Sequence, residues 1–154
     1  MKDFFTEGDQ LFEQQNLTEA FSAFLKGALN GDTSCMTRVA SMYSCGEGVS
    51  CDYDEAIKWE LKAAELGDLC AMLNLGISYR IKGDILNAKK WFISSFEAGD
   101  GSGAIELAKL YLVSDKEKDT VKYYLDQALK SNTLCESEIE EVNQLFGKII
   151  KDGT

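Results

Sequence analysis

Five residue landmarks recur in the same order four times along this chain, and few folds are open to a chain built that way. A small residue, Gly8, Ala40, Gly76 or Ala108, is followed three positions on by Leu11, Tyr43, Tyr79 or Tyr111. A second set begins at Ala20, Ala56, Ala88 and Thr120, with Ala23, Trp59, Trp91 and Tyr123 three positions on. Each copy closes at Gly31-Asp32, Gly67-Asp68, Gly99-Asp100 or Ser131-Asn132, so the closing residues stand 36, 32 and 32 positions apart. That period belongs to stacked helical hairpins. A lone hairpin cannot bury its apolar faces, so neighbouring copies must share a core.

Each landmark has a mechanical reason. The small residue of the first helix lets the two helices of a hairpin approach closely, and the second-helix Ala does the same from the other side. The aromatic rings are expected to fill the space between successive hairpins, with Trp59 and Trp91 in the core. Gly at the end of the second helix supplies a left-handed turn, and the Asp or Asn after it starts the next helix. Gly46, Gly48 and Val49 form a longer turn inside the second copy; Gly83-Asp84 and Ser114-Asp115 shorten it in the third and fourth.

Ala40, Met42, Tyr43, Gly46, Glu47, Gly48, Val49, Asp52, Glu55, Ala56, Trp59, Lys62, Ala63, Ala64, Glu65, Gly67 and Asp68 together carry a family resemblance. This run resembles a Sel1-like repeat, a relative of the tetratricopeptide repeat. The third copy, with Leu75, Gly76, Tyr79, Ala88, Trp91 and Phe92, is similar to both families but lacks the G-x-G-V turn. The first and fourth copies are degenerate, as terminal repeats are. The resemblance implies an all-α, right-handed α-solenoid of about four helix-turn-helix repeats in a single domain spanning 1–154. The repeats fall at about 1–31, 32–68, 69–100 and 101–132, with a capping helix at about 136–151. It also implies an adaptor or scaffold rather than a catalyst.

The capping helix is read from Ile139, Val142, Leu145, Phe146, Ile149 and Ile150, which recur at helical spacing. It either covers the open face of the fourth repeat or folds into the concave groove. No apolar run approaches the length of a membrane span, and the acidic start lacks the pattern of a secretory signal, so a cytoplasmic protein is expected. Cys35, Cys45, Cys51, Cys70 and Cys135 share no C-x-x-C spacing and are read as free, buried thiols, except that Cys45 and Cys51 flank an exposed turn where incidental oxidation is open to them.

The chain has no histidine. That removes Ser-His-Asp, Cys-His and H-E-x-x-H chemistry, and with the missing paired Cys motif it argues against zinc. No catalytic residue, cofactor or metal is therefore expected. The run from Gly99 to Gly103 looks like a phosphate loop, but it follows a helix and lacks Lys-Ser/Thr, so it is read as a flexible junction between repeats.

The net charge of −10 disfavours nucleic acid and favours a basic protein partner, with simple solubility as the competing explanation. The charge is uneven: residues 32–68 contribute −5, residues 69–100 contribute +1. In tetratricopeptide-like solenoids the first helix of each repeat lines the concave face. Counting from the small residue places partner-binding positions at Phe5, Asp9 and Phe12, then at Thr37, Ser41 and Ser44. The third repeat offers Leu73, Ile77 and Arg80, and the fourth Ile105, Lys109 and Leu112; these would equally pack against the capping helix. The functional expectation is a non-catalytic protein-interaction module, most specifically a bacterial immunity protein that neutralises a secreted toxin. The alternative is a secretion chaperone or signalling adaptor that holds peptides in the groove. The sequence leaves the oligomeric state open.

Overall fold

The computed structural model describes residues 3–113 and 117–151, and among them the chain forms nine α-helices and no strand. They are α1 (Phe4–Glu13), α2 (Leu17–Leu29), α3 (Thr33–Cys45), α4 (Tyr53–Glu65) and α5 (Leu69–Ile81). Then come α6 (Ile85–Glu97), α7 (Gly101–Leu112), α8 (Lys118–Lys130) and α9 (Glu136–Lys151). They fall into two compact units, Met1–Gly83 and Asp84–Thr154.

The helix ends follow from the junction residues. Gly31, Gly67 and Gly99 have φ of +91°, +89° and +99°, the left-handed conformation that ends a helix at little cost only in glycine. At the fourth junction Asn132, with φ +56°, takes that role. The Asp after each of these glycines caps the next helix. Asp32 accepts from the Cys35 N–H, Asp68 from that of Ala71, and Asp100 from that of Ser102. Asp52 and Asp84 do the same inside their hairpins. The Ser114-Asp115 turn lies outside the described residues.

In the first unit the α1–α2 hairpin closes on Gly8, where a Cβ would sit 2.5 Å from the Phe24 ring. Phe24, Val39, Ala40, Ala56, Ala63 and Leu75 form a core with 0–1% exposure, a pattern of small residues between a few large ones that allows close helix approach. Tyr43 of α3 meets Phe21 of α2 edge to face at 5.2 Å, so this ring does join successive hairpins.

In the second unit α9 closes the core. Val142, Leu145 and Ile149 pack with Ala104, Ile105 and Ala108 of α7 and with Val121, Leu125 and Ala128 of α8. Ile139 and Ile150, counted on the same stripe, are instead exposed. Glu138 pins the start of α9 by accepting from the Cys135 N–H at 2.9 Å and from Ser102 Oγ of α7 at 2.6 Å. These bonds hold its carboxyl below the usual range.

Three expectations are corrected. The Gly99–Gly103 segment is no flexible junction beyond its first two residues, since α7 begins at Gly101. A Cβ on Gly103 would lie 2.8 Å from the Phe96 backbone N, so glycine serves close packing of α6 on α7. Trp91 is only half-buried and Tyr123 is exposed, because the next residue in each helix, Phe92 or Tyr124, turns toward the core. None of the five cysteines forms a disulfide, and only Cys35 is buried, its thiol pushed up to about 12 by burial and by Asp32.

Candidate functional site

The helix α4 departs from its own pattern at one position. Ala56, Glu60, Ala63 and Ala64 follow each other at helical spacing, which puts a carboxylate in the middle of a buried apolar stripe. The matching position, one residue after the landmark Ala23, Trp59, Trp91 or Tyr123 of the second helix, is Phe24 in the first repeat, Phe92 in the third and Tyr124 in the fourth. Phe24 and Phe92 have no exposed surface, and Glu60 has only 3%. The second repeat thus holds an acid where its neighbours hold a ring.

Shortening the side chain leaves space. A groove of about 280 Å³ opens between α3, α4 and α5, all of the first unit. Glu60 and Ser78, both almost fully buried, make its floor. Ser44, Asn74 and Ile77 stand half-buried along it, and Ser41, Cys45, Tyr53 and Ile81 form the exposed rim. Ser78 Oγ donates to Glu60 Oε1 at 3.2 Å. Glu60 Oε2 is buried with no hydrogen-bond partner among the described residues. Burial pushes the Glu60 carboxyl up to about 7, opposed only by the Ser78 hydroxyl. A carboxylate of this kind is a strong acceptor held short of a donor, and it favours a ligand that brings a positive charge.

Of the positions expected to bind a partner, Ser41, Ser44 and Ile77 are brought together in this groove. Leu73 and Arg80 of α5 are half-buried and do not line it, nor does Thr37, whose hydroxyl donates to the Thr33 carbonyl at 2.8 Å. Phe5, Asp9 and Phe12 belong to a cluster built around Arg38 of α3. Its guanidinium bonds Asp9 at 3.0 Å and lies 4.8 Å from the Phe12 ring centroid, while Phe5 meets Phe24 edge-on. Ile105 is no partner-binding position but takes the alternative left open for it: only 2% exposed, it faces the core because α9 lies over this side of α7. Leu112 packs on the same cluster, and Lys109 is drawn into ion pairs with Glu106 at 2.8 Å and Glu141 at 2.7 Å. The fourth-repeat positions are therefore taken by the chain's own last helix. Counting from the small residues missed Glu60, because it read only first helices; the break in the α4 stripe was the available signal.

Among the described residues no group of acidic, Cys or His side chains could hold a metal, and no helix is long and apolar enough to cross a membrane. Comparison with known proteins gives the repeat its family. Residues 33–68 and 69–100 each match the Sel1 repeat. An F-box protein of Arabidopsis thaliana is 34% identical over 96 residues, which is 60% of this chain but only 26% of that protein. A Sel1 repeat protein from Oxalobacter formigenes superposes with a TM-score of 0.74 at 24% identity, over 83% of this chain and 57% of its own. A protective antigen present in uropathogenic Escherichia coli strains, displaying an SLR fold, gives 0.73 at 22% identity over 98% and 38%. At these identities the structural likeness is one of fold. The chain spans about a quarter to three-fifths of the length of these relatives. The chain thus carries two Sel1 repeats across residues 33–100 with helical hairpins on either side, and its fold is of the all-α, helical-repeat solenoid class seen in Sel1 repeat proteins.

Proposed function

We propose that this chain is a non-catalytic cytoplasmic module that binds a basic protein, and that it serves as a bacterial immunity protein against a cognate secreted toxin. The observation that carries the binding reading is the α3–α4–α5 groove, with an exposed rim and a buried carboxylate at its floor. A net charge of −10 supports a basic partner, since an acidic surface speeds and orients its approach. The Sel1 repeat fold is that of a protein-interaction module, and an acidic interaction fold of this size suits the blocking of a toxin domain.

A second reading, a secretion chaperone or adaptor, is favoured by the groove's shape, which suits an extended segment. Affinity capture with the neighbouring gene's product included tests both. Immunity expects a one-to-one complex with a folded basic domain over roughly 1,600 Å², and survival of cells making both proteins. A short fragment of the partner that keeps full affinity would instead establish the chaperone or adaptor. Failure to bind any basic domain or segment would remove both.

A further inference from the structure

We propose that the α3–α4–α5 groove is a receptor for one lysine side chain of the partner, with Glu60 as its counter-charge. The inference rests on the protein-binding reading above and names the chemistry of the contact.

The floor asks for a cation. Glu60 is 3% exposed, lines the groove and has one oxygen without a partner. An unpaired buried acceptor is costly, and a charged donor brought by a partner removes that cost. Among the described residues none supplies the cation. Nearby Lys58 pairs with Glu55, Lys82 with Asp54, and Lys62 lies over the Trp59 ring. Arg38 is held by Asp9. Only burial and the Ser78 hydroxyl act on the Glu60 carboxyl, so among the described residues no cation stands close beside it.

The walls select lysine over arginine. A guanidinium binds a carboxylate best through both oxygens at once, and Oε1 is already engaged by Ser78. A single free oxygen suits the compact ammonium, whose remaining N–H groups find the Ser44 and Ser41 hydroxyls and the Asn74 amide oxygen along the groove. The four-carbon stem fits between Ile77, Ile81 and Tyr53, apolar surface that a lysine covers while its charge points inward. The carboxyl torsion of Glu is broad, so either oxygen can face the groove at low cost. The first and third repeats, with Phe24 and Phe92 at this position, have no such carboxylate, which confines the receptor to the second repeat.

The test is a backbone-amide NMR titration of the full chain with n-butylammonium chloride and, separately, with n-butanol at equal ionic strength. Saturable shifts at Ser44, Asn74, Ile77 and Ser78 with the ammonium are expected, and at least about tenfold weaker binding of the alcohol. Glu60→Gln, isosteric with the protonated acid, should lose a similar factor while keeping its helical circular dichroism. In the unmutated protein the Glu60 carboxyl carbon resonance should move to the ionised position as the probe saturates. Equal response to n-butanol, no saturable response, or an unmoved carboxyl resonance each overturns the receptor. The titration needs no partner, so its failure leaves the protein-binding reading standing. A probe that binds while no basic protein is captured instead removes that reading alone.

Discussion

Glu60 carries opposite costs in its two protonation states. Ionised, it is a buried charge without a cation; protonated, it is a neutral acid beside a serine hydroxyl, which burial tolerates. Its folded value of about 7 lies above the ordinary 4.5, so the folded state binds the extra proton between those pH values. The relative stability from that proton is fully present below about pH 4.5 and is lost as pH rises through 7. The full difference is about 3 kcal/mol. Asp3, Asp54 and Asp84 pull the other way, since hydrogen bonds hold their carboxyls low and their contributions fade as the solution turns acid. Comparing the protein with Glu60→Gln cancels these common parts. Urea unfolding should find the variant the more stable by about 3 kcal/mol at pH 8 and the pair nearly equal at pH 4. A difference that stays constant with pH would show that the carboxyl does not titrate in this window. This residue was visible in the sequence as an acid in the apolar stripe of α4, at a position where the other repeats hold a ring. Its missing partner was not, because that depends on what α3 and α5 bring to the groove.

At the scale of the helix, the structure separates residues that the repeat pattern treats alike. Adjacent positions are about 100° apart on a helix, so Trp91 and Phe92 both lie within a wide apolar stripe and spacing alone does not rank them. The geometry of α6 does. Phe92 has no exposed surface, whereas Trp91 is half-buried with Lys90 near its ring. Phe92→Ala should cost about 3–5 kcal/mol and Trp91→Ala clearly less, by denaturant unfolding. The reverse order would place the core on the other side of α6. Helix ends were far more legible, since Gly followed by Asp specifies a left-handed stop and a side-chain cap with little tertiary help. Asp68→Ala removes the acceptor for the Ala71 N–H and should cost about 1 kcal/mol. The role of α9 was legible only in part: its apolar spacing identified a cap, but left open whether Ile105 would meet a partner or this cap, and only the packing of α9 on α7 decides for the cap.

For the molecule as a whole, the period of 32 to 36 residues was enough to establish the fold class, because stacked hairpins are the one way such a chain buries its faces. Function was less legible, since binding surfaces depend on which helix faces stay uncovered and on where charge collects. Here the exposed and buried charges should act on different steps of binding. The exposed acids that give the net charge of −10 would steer the proposed basic partner before contact, and salt would screen that effect. The buried Glu60, in the proposed complex, would act only after a side chain has entered the groove. Stopped-flow mixing with the basic partner should therefore show the association rate falling roughly 10–100-fold between 20 mM and 1 M salt, with a much smaller change in dissociation. Glu60→Gln should do the converse, leaving association within about twofold while speeding dissociation about tenfold or more. A variant that slows association and leaves dissociation unchanged would make Glu60 one more steering charge, and the groove would lose its place at the centre of the interface.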